Sequence, residues 1–185
     1  MPTVRPSLLR ERGFTLIEMM VVVMLVGVLA FVAGVAYRRW IRNSRINEAQ
    51  AMLQNFRVAE ESYRSENTVY LATASSLAST ALYPTTSPNG MQKVAWGSNP
   101  GNWAALNIQP GGPVYFGYAI IAGTGAVAAP EVTIDGKAAG FAKLVGQPWY
   151  VAMATCDIDD DTTTPNTTIY ASSGSNALLM ANEGN

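Results

Sequence analysis

From Met19 to Tyr37 the sequence runs for nineteen positions without a charged residue, and this run limits what the chain can fold into. At about 1.5 Å per helical residue it reaches roughly 29 Å, the thickness of a bilayer's hydrocarbon core. It is built from Val, Leu, Met, Ala and Phe, contains no proline, and has Gly27 and Gly34 as its weak helix formers. Its composition therefore predicts a continuous membrane-crossing helix. Glu18 stands at the head of the run, and a carboxylate inside a membrane helix costs about 2.5–3.5 kcal/mol, so it needs a compensating charge. A cut between Gly13 and Phe14 would place the new α-amino group of Phe14 one helical turn from Glu18. A neighbouring copy could supply the cation instead.

The segment Gly13-Phe14-Thr15-Leu16-Ile17-Glu18, followed by Met19-Met20-Val21-Val22-Val23, resembles the signature of the type IV pilin superfamily, which includes major pilins, minor pilins and the pseudopilins of type II secretion. The resemblance covers about the first forty residues. It implies that a prepilin peptidase removes residues 1–13 as a leader on the cytoplasmic face and methylates the amine of Phe14. It also implies that Glu18 pairs with that amine on an adjacent subunit during assembly at an inner-membrane platform. One departure concerns Gly34-Val35, where major pilins usually carry a helix-breaking proline. A conventional secretory signal, with Gly34-Val35-Ala36 posing as its cleavage site, is the bland rival. Its apolar core spans only about 7–15 residues, and the long run here, the internal Glu18 and the helical pattern beyond it speak against it.

Charge is unevenly distributed. Residues 1–67 hold nine Arg against six acids, and residues 68–185 hold three Lys against seven acids. An acidic head disfavours nucleic acid as a partner, because phosphate neutralisation needs clustered Lys and Arg. Cys156 is the one cysteine, so no intrachain disulfide can form, although many pilins close one near the carboxy terminus. Arg5, Arg10 and Arg12 keep the leader cytoplasmic, yet Arg38, Arg39, Arg42 and Arg45 crowd the far end of the span, so only the cleavage motif sets orientation. This second cluster suits lipid headgroups, solvent, or acids of neighbouring subunits.

Beyond the span, Ile46, Ala49, Leu53, Phe56, Ala59 and Tyr63 recur every three or four residues, while Glu48, Arg57, Glu60 and Arg64 are expected to face elsewhere. The organisation expected is a leader (1–13), a transmembrane or filament-core helix (14–37), its amphipathic second half (38–66), a long αβ-loop (67–112) and an antiparallel β head (113–185). Pro84, Pro88, Pro100 and Pro110 punctuate the loop. Trp96 and Trp103 are expected to fold it onto the head, and residues 71–82 to include a short helix. Strands are expected at 114–121, 131–134, 149–155 and 167–171. The fold class is α+β: a long N-terminal helix, membrane-spanning in its first half, packed on a small C-terminal antiparallel sheet. That is also the fold the pilin resemblance implies.

Asp157, Asp159 and Asp161 match the first three ligand positions of a calcium loop. Thr162 replaces the turn glycine and Thr168 the bidentate glutamate, so an EF-hand is excluded. A solvated acidic turn is the default and calcium the candidate ligand. With no histidine, no Gly-x-Ser-x-Gly and no phosphate-cradling glycine loop, enzymatic chemistry has no visible site. The sequence therefore reads as a type IV pilus subunit supporting adhesion or twitching motility, a single-pass inner-membrane precursor that becomes a surface filament. The alternatives are a type II secretion pseudopilin and a membrane-anchored binding module that never polymerises.

Overall fold

The computed structural model describes residues 13–98, 101–158 and 166–182; the leader residues 1–12, Asp159 and Asp161 lie outside them. The chain divides into two compact units, Met1–Ile41 and Arg42–Asn185. Helix α1, Leu16–Asn67, runs 52 residues, matching the predicted helix to within two residues at either end. It carries no proline, so nothing in its sequence interrupts the hydrogen-bond ladder.

In the second unit the apolar stripe of α1 is buried at Ile46, Ala49, Met52, Leu53 and Phe56. It packs on a four-stranded antiparallel sheet in the order β1-β4-β5-β6. These strands are β1 (Gly117–Gly123), β4 (Trp149–Cys156), β5 (Thr167–Ser172) and β6 (Ser175–Ala181). Register follows the side-chain alternation of period two. Tyr118, Ile120, Tyr150, Ala152, Ala154, Ile169 and Ala171 share one core with the helix, and Ile121, Trp149, Val151, Tyr170 and Leu179 face a second one. A second layer, including Leu82, Ala129, Phe141 and Leu144, covers that other face. Both faces of β4 are therefore dry, which is why it reads as an almost unbroken apolar run and is buried at every position.

The αβ-loop contributes to both layers. Trp103 packs 5.4 Å from the Phe56 ring, Trp96 lies 5.2 Å from Trp103, and Tyr83 5.0 Å from Trp96. Each tryptophan is buried, so the loop does fold down as its aromatics predicted. It also runs along the edge of β1: Tyr83 and Tyr118 exchange backbone hydrogen bonds at 2.9 and 2.8 Å, and the amides of Thr73 and Ala74 both donate to the Ile120 carbonyl. Pairing an otherwise open edge in this way removes a template for aggregation.

Several local expectations are corrected. The run 131–134 does not join the main sheet. It enters a small hairpin of β2 (Thr133–Ile134) and β3 (Lys137–Ala138), turned by Asp135 and Gly136. Both turn residues have positive φ, 48° and 77°, the signature of a two-residue hairpin turn. Residues 71–82 hold only a 3-10 turn, Ser79–Ala81. Helix α2, Asn102–Ala105, is a single turn. Strand β6 was not expected: its Ala, Leu and Met favour helix over strand, but the turn after β5 returns the chain beside that strand.

Candidate functional site: the head of the apolar helix

Gly13, Phe14 and Thr15 precede the first turn of α1. Thr15 and Glu18 close a reciprocal capping box there. The Glu18 amide donates to Thr15 Oγ1 at 3.3 Å, while Glu18 Oε2 accepts the Thr15 amide at 2.9 Å and the Thr15 hydroxyl at 2.7 Å. Helix starts leave amides without intrahelical partners, and this arrangement satisfies two of them. The spacing Thr15-Leu16-Ile17-Glu18 is the sequence signal that would have revealed the box. In the uncut chain Phe14 carries a peptide nitrogen, so the carboxylate's partner is Thr15, and the expected bond to a Phe14 amine requires a cut.

From Phe14 to Trp40 every residue is exposed, including Phe14 at 78% and Phe31 at 76%. Helix α1 is long and apolar enough to cross a membrane. A contiguous apolar surface of this extent is not tolerated in water and marks a membrane or protein contact. At the end of the run Tyr37 and Trp40 stack at 6.4 Å, beside Arg38 and Arg39. Aromatic rings followed by cations are the usual composition of a membrane–water interface.

Arg45, grouped in the sequence with those arginines, has a different setting. Its guanidinium donates to the Ile158 carbonyl at 3.1 Å and lies 5.0 Å from the centre of the Tyr115 ring. Glu48, expected to face away from the core, is half-buried and bridges two elements. It accepts the Tyr115 amide at 2.8 Å and pairs with Lys93 at 2.9 Å. Glu60, also expected to face away, is fully buried. Its place one turn after Phe56 puts it on the apolar stripe, and the Leu71 amide of the αβ-loop donates to its Oε2 at 3.0 Å.

Of the candidate calcium ligands only Asp157 is described. It is half-buried, and its amide donates to the Pro88 carbonyl at 3.0 Å. Among the described residues no three His, Cys, Asp or Glu side chains gather as a metal site. Cys156 is buried, and burial, first, with Asp157 nearby pushes its thiol up to about 12. The thiolate that nucleophilic chemistry needs is thus suppressed. A cavity of about 530 Å³ lies between α1 and residues 105–109 and is lined by Met52, Val58, Tyr63 and Ile108 among others.

Residues 8–34 match the family described as the Prokaryotic N-terminal methylation motif, a stretch containing Gly13, Phe14 and Glu18. Two curated relatives match about a third of the chain. The chain is 39% identical over 61 residues to the Type IV major pilin protein PilA of Myxococcus xanthus (strain DK1622), covering 33% of this chain and 28% of the relative. It is 36% identical over 62 residues to the Fimbrial protein EcpC of Eikenella corrodens, covering 34% of this chain and 40% of the relative. The matched region thus spans well under half the length of either relative. No solved structure matches the chain significantly. The methylation motif and these relatives make part of the chain similar to type IV pilins, and its long apolar helix packed on an antiparallel sheet is a pilin-like α+β fold.

Proposed function

We propose that the chain is a non-enzymatic structural subunit of a type IV pilus, cut after Gly13, methylated on the amine of Phe14 and polymerised through α1. The observation that carries this reading is the wholly exposed apolar run beginning at Phe14, headed by the charge of Glu18. Such a surface needs lipid before assembly and the helices of other copies afterwards. Moving from one to the other keeps it out of water throughout. The precursor on this reading is a single-pass inner-membrane protein, its partners are a prepilin peptidase, an assembly platform and other pilins, and the filament serves adhesion or twitching motility.

Glu18 supplies the register. Once the cut frees a cation on Phe14, a neighbour's carboxylate can exchange its Thr15 partners for that amine. A docked subunit without this pairing would hold an uncompensated buried charge, a penalty of about 3–5 kcal/mol. Glu18→Ala is therefore expected to insert in the membrane normally yet assemble poorly. Normal filament yield from that variant would refute the docking role.

The decisive measurement is the intact mass and amino-terminal sequence of the chain in filaments sheared from its native cells, with its abundance there. A methylated Phe14 start in the dominant species supports a major pilin. The same start at trace abundance supports a minor pilin. Presence confined to a secretion apparatus favours the pseudopilin reading, in keeping with an α1 that has no proline near Val35. An intact leader on a chain absent from filaments would overturn the proposal in favour of an anchored binding module.

A further inference from the structure

Glu60 is a buried acid for which filament assembly through α1 supplies no role. Its Oε2 accepts the Leu71 amide, and its Oε1 is buried without a hydrogen-bond partner. Across from it on β4, the Tyr150 hydroxyl is likewise buried, with the Arg57 guanidinium beside it, and the Tyr150 ring meets that of Tyr70 at 4.9 Å. The charged and titratable groups around this spot are Arg57, Glu61 and Arg64 from α1, Tyr70 from the αβ-loop and Tyr150 from β4. Both nearby cations are engaged elsewhere. Arg57 donates to the carbonyls of Ser175 and Asn176 at 3.1 Å each, and Arg64 donates to the Tyr70 hydroxyl at 2.9 Å and pairs with Glu61 at 3.9 Å. A carboxylate here would be an unpaired charge out of water, which is why buried acids usually neutralise.

We propose that Glu60 is a proton-operated latch on the αβ-loop: neutral, it closes residues 70–74 over the head, and on losing its proton it favours release of that segment. The segment covers Glu60 through Leu71 and, two residues on, holds the edge of β1 through the bonds of Thr73 and Ala74 to Ile120. Opening it hydrates the carboxylate and uncovers that strand edge. Burial, the largest cause, pushes the Glu60 acid up to about 7 against the pull of the Leu71 amide, and Glu61 adds a repulsion. The sign follows: the closed form binds the proton more tightly, so its advantage is complete below about pH 4.5 and lost as pH rises through about 7.

The test uses the full chain in detergent micelles. Amide hydrogen exchange of residues 70–74, corrected for intrinsic rates, is expected to show opening rising by roughly 70-fold between pH 5 and pH 8. Glu60→Gln, which keeps an uncharged side chain of the same shape, is expected to abolish that slope. A change below threefold in the unaltered chain overturns the latch, and so does a slope that persists in Glu60→Gln. Should that variant fail to fold, ¹³C-labelled glutamate in the unaltered chain decides. One side-chain carboxyl titrating near neutrality supports the latch, and a set titrating wholly in the ordinary carboxylate range overturns it.

Discussion

Replacing Phe56 with alanine tests whether the head is held by the junction of helix, loop and sheet. The Phe56 side chain is fully buried and meets Trp103 of the loop at 5.4 Å and Tyr118 of β1 edge-on at 5.3 Å. Truncating it removes the ring's transfer free energy and leaves a cavity between three elements with little freedom to collapse, a loss of about 3–5 kcal/mol. For a folded unit of this size each kcal/mol moves the melting temperature by about 2–4 °C, so a fall of roughly 10–15 °C is expected. Tryptophan fluorescence of the full chain in micelles is a direct readout, since Trp96 and Trp103 belong to the same cluster. Val58→Ala, at a position 70% exposed on the same helix, provides the control and should stay within about 0.5 kcal/mol. A drop below about 3 °C for Phe56→Ala, with a native spectrum, would refute the reasoning.

Two further perturbations probe single contacts. Gly90 has φ +65°, and a Cβ there would stand 2.5 Å from the Asp157 carbonyl oxygen and 2.9 Å from Ile158 Cα. Gly90→Ala should therefore cost about 2 kcal/mol or more in urea unfolding, clearly more than Gly146→Ala, where φ is +82° but nothing lies within 4 Å. Equal costs would show that the clash is relieved. Glu131 accepts the amides of Val132, Gly140, Phe141 and Ala142, and these bonds, that of Ala142 first, lower its pKa below the ordinary carboxylate value. The stability it lends is present above the ordinary carboxylate range and lost as pH falls through its folded value. Glu131→Ala should expose the amides of residues 140–142 to exchange at neutral pH, and unchanged protection there would dismiss its role as their organiser.

The helix and its two characters were legible because one pattern, charge-free and then periodic every three to four residues, ran without interruption for fifty positions. Strands β4 and β5 were legible for a similar reason, being rich in aromatic and β-branched residues. What escaped was decided by tertiary neighbours. Glu60 looks like a solvent-facing acid until the Leu71 amide, eleven residues on, provides its partner. Arg45 sits in a run of arginines, and only the return of the chain at Ile158 and Tyr115 separates it from them. Strand β6 carries helix-favouring residues and is a strand because β5 is beside it. Near Phe14 the motif is plain, whereas the capping box depends on the backbone turn that brings Glu18 back onto Thr15.

The position of Cys156 has a practical corollary for anyone wishing to watch this protein move. A sulfur sealed in the core and reluctant to ionise is invisible to maleimides and other thiol-directed reagents at neutral pH. A cysteine introduced at an exposed site such as Val127 or Met91 would then be the one the dye finds, with the native residue left in place. The chain comes supplied with a silent background for fluorescent labelling.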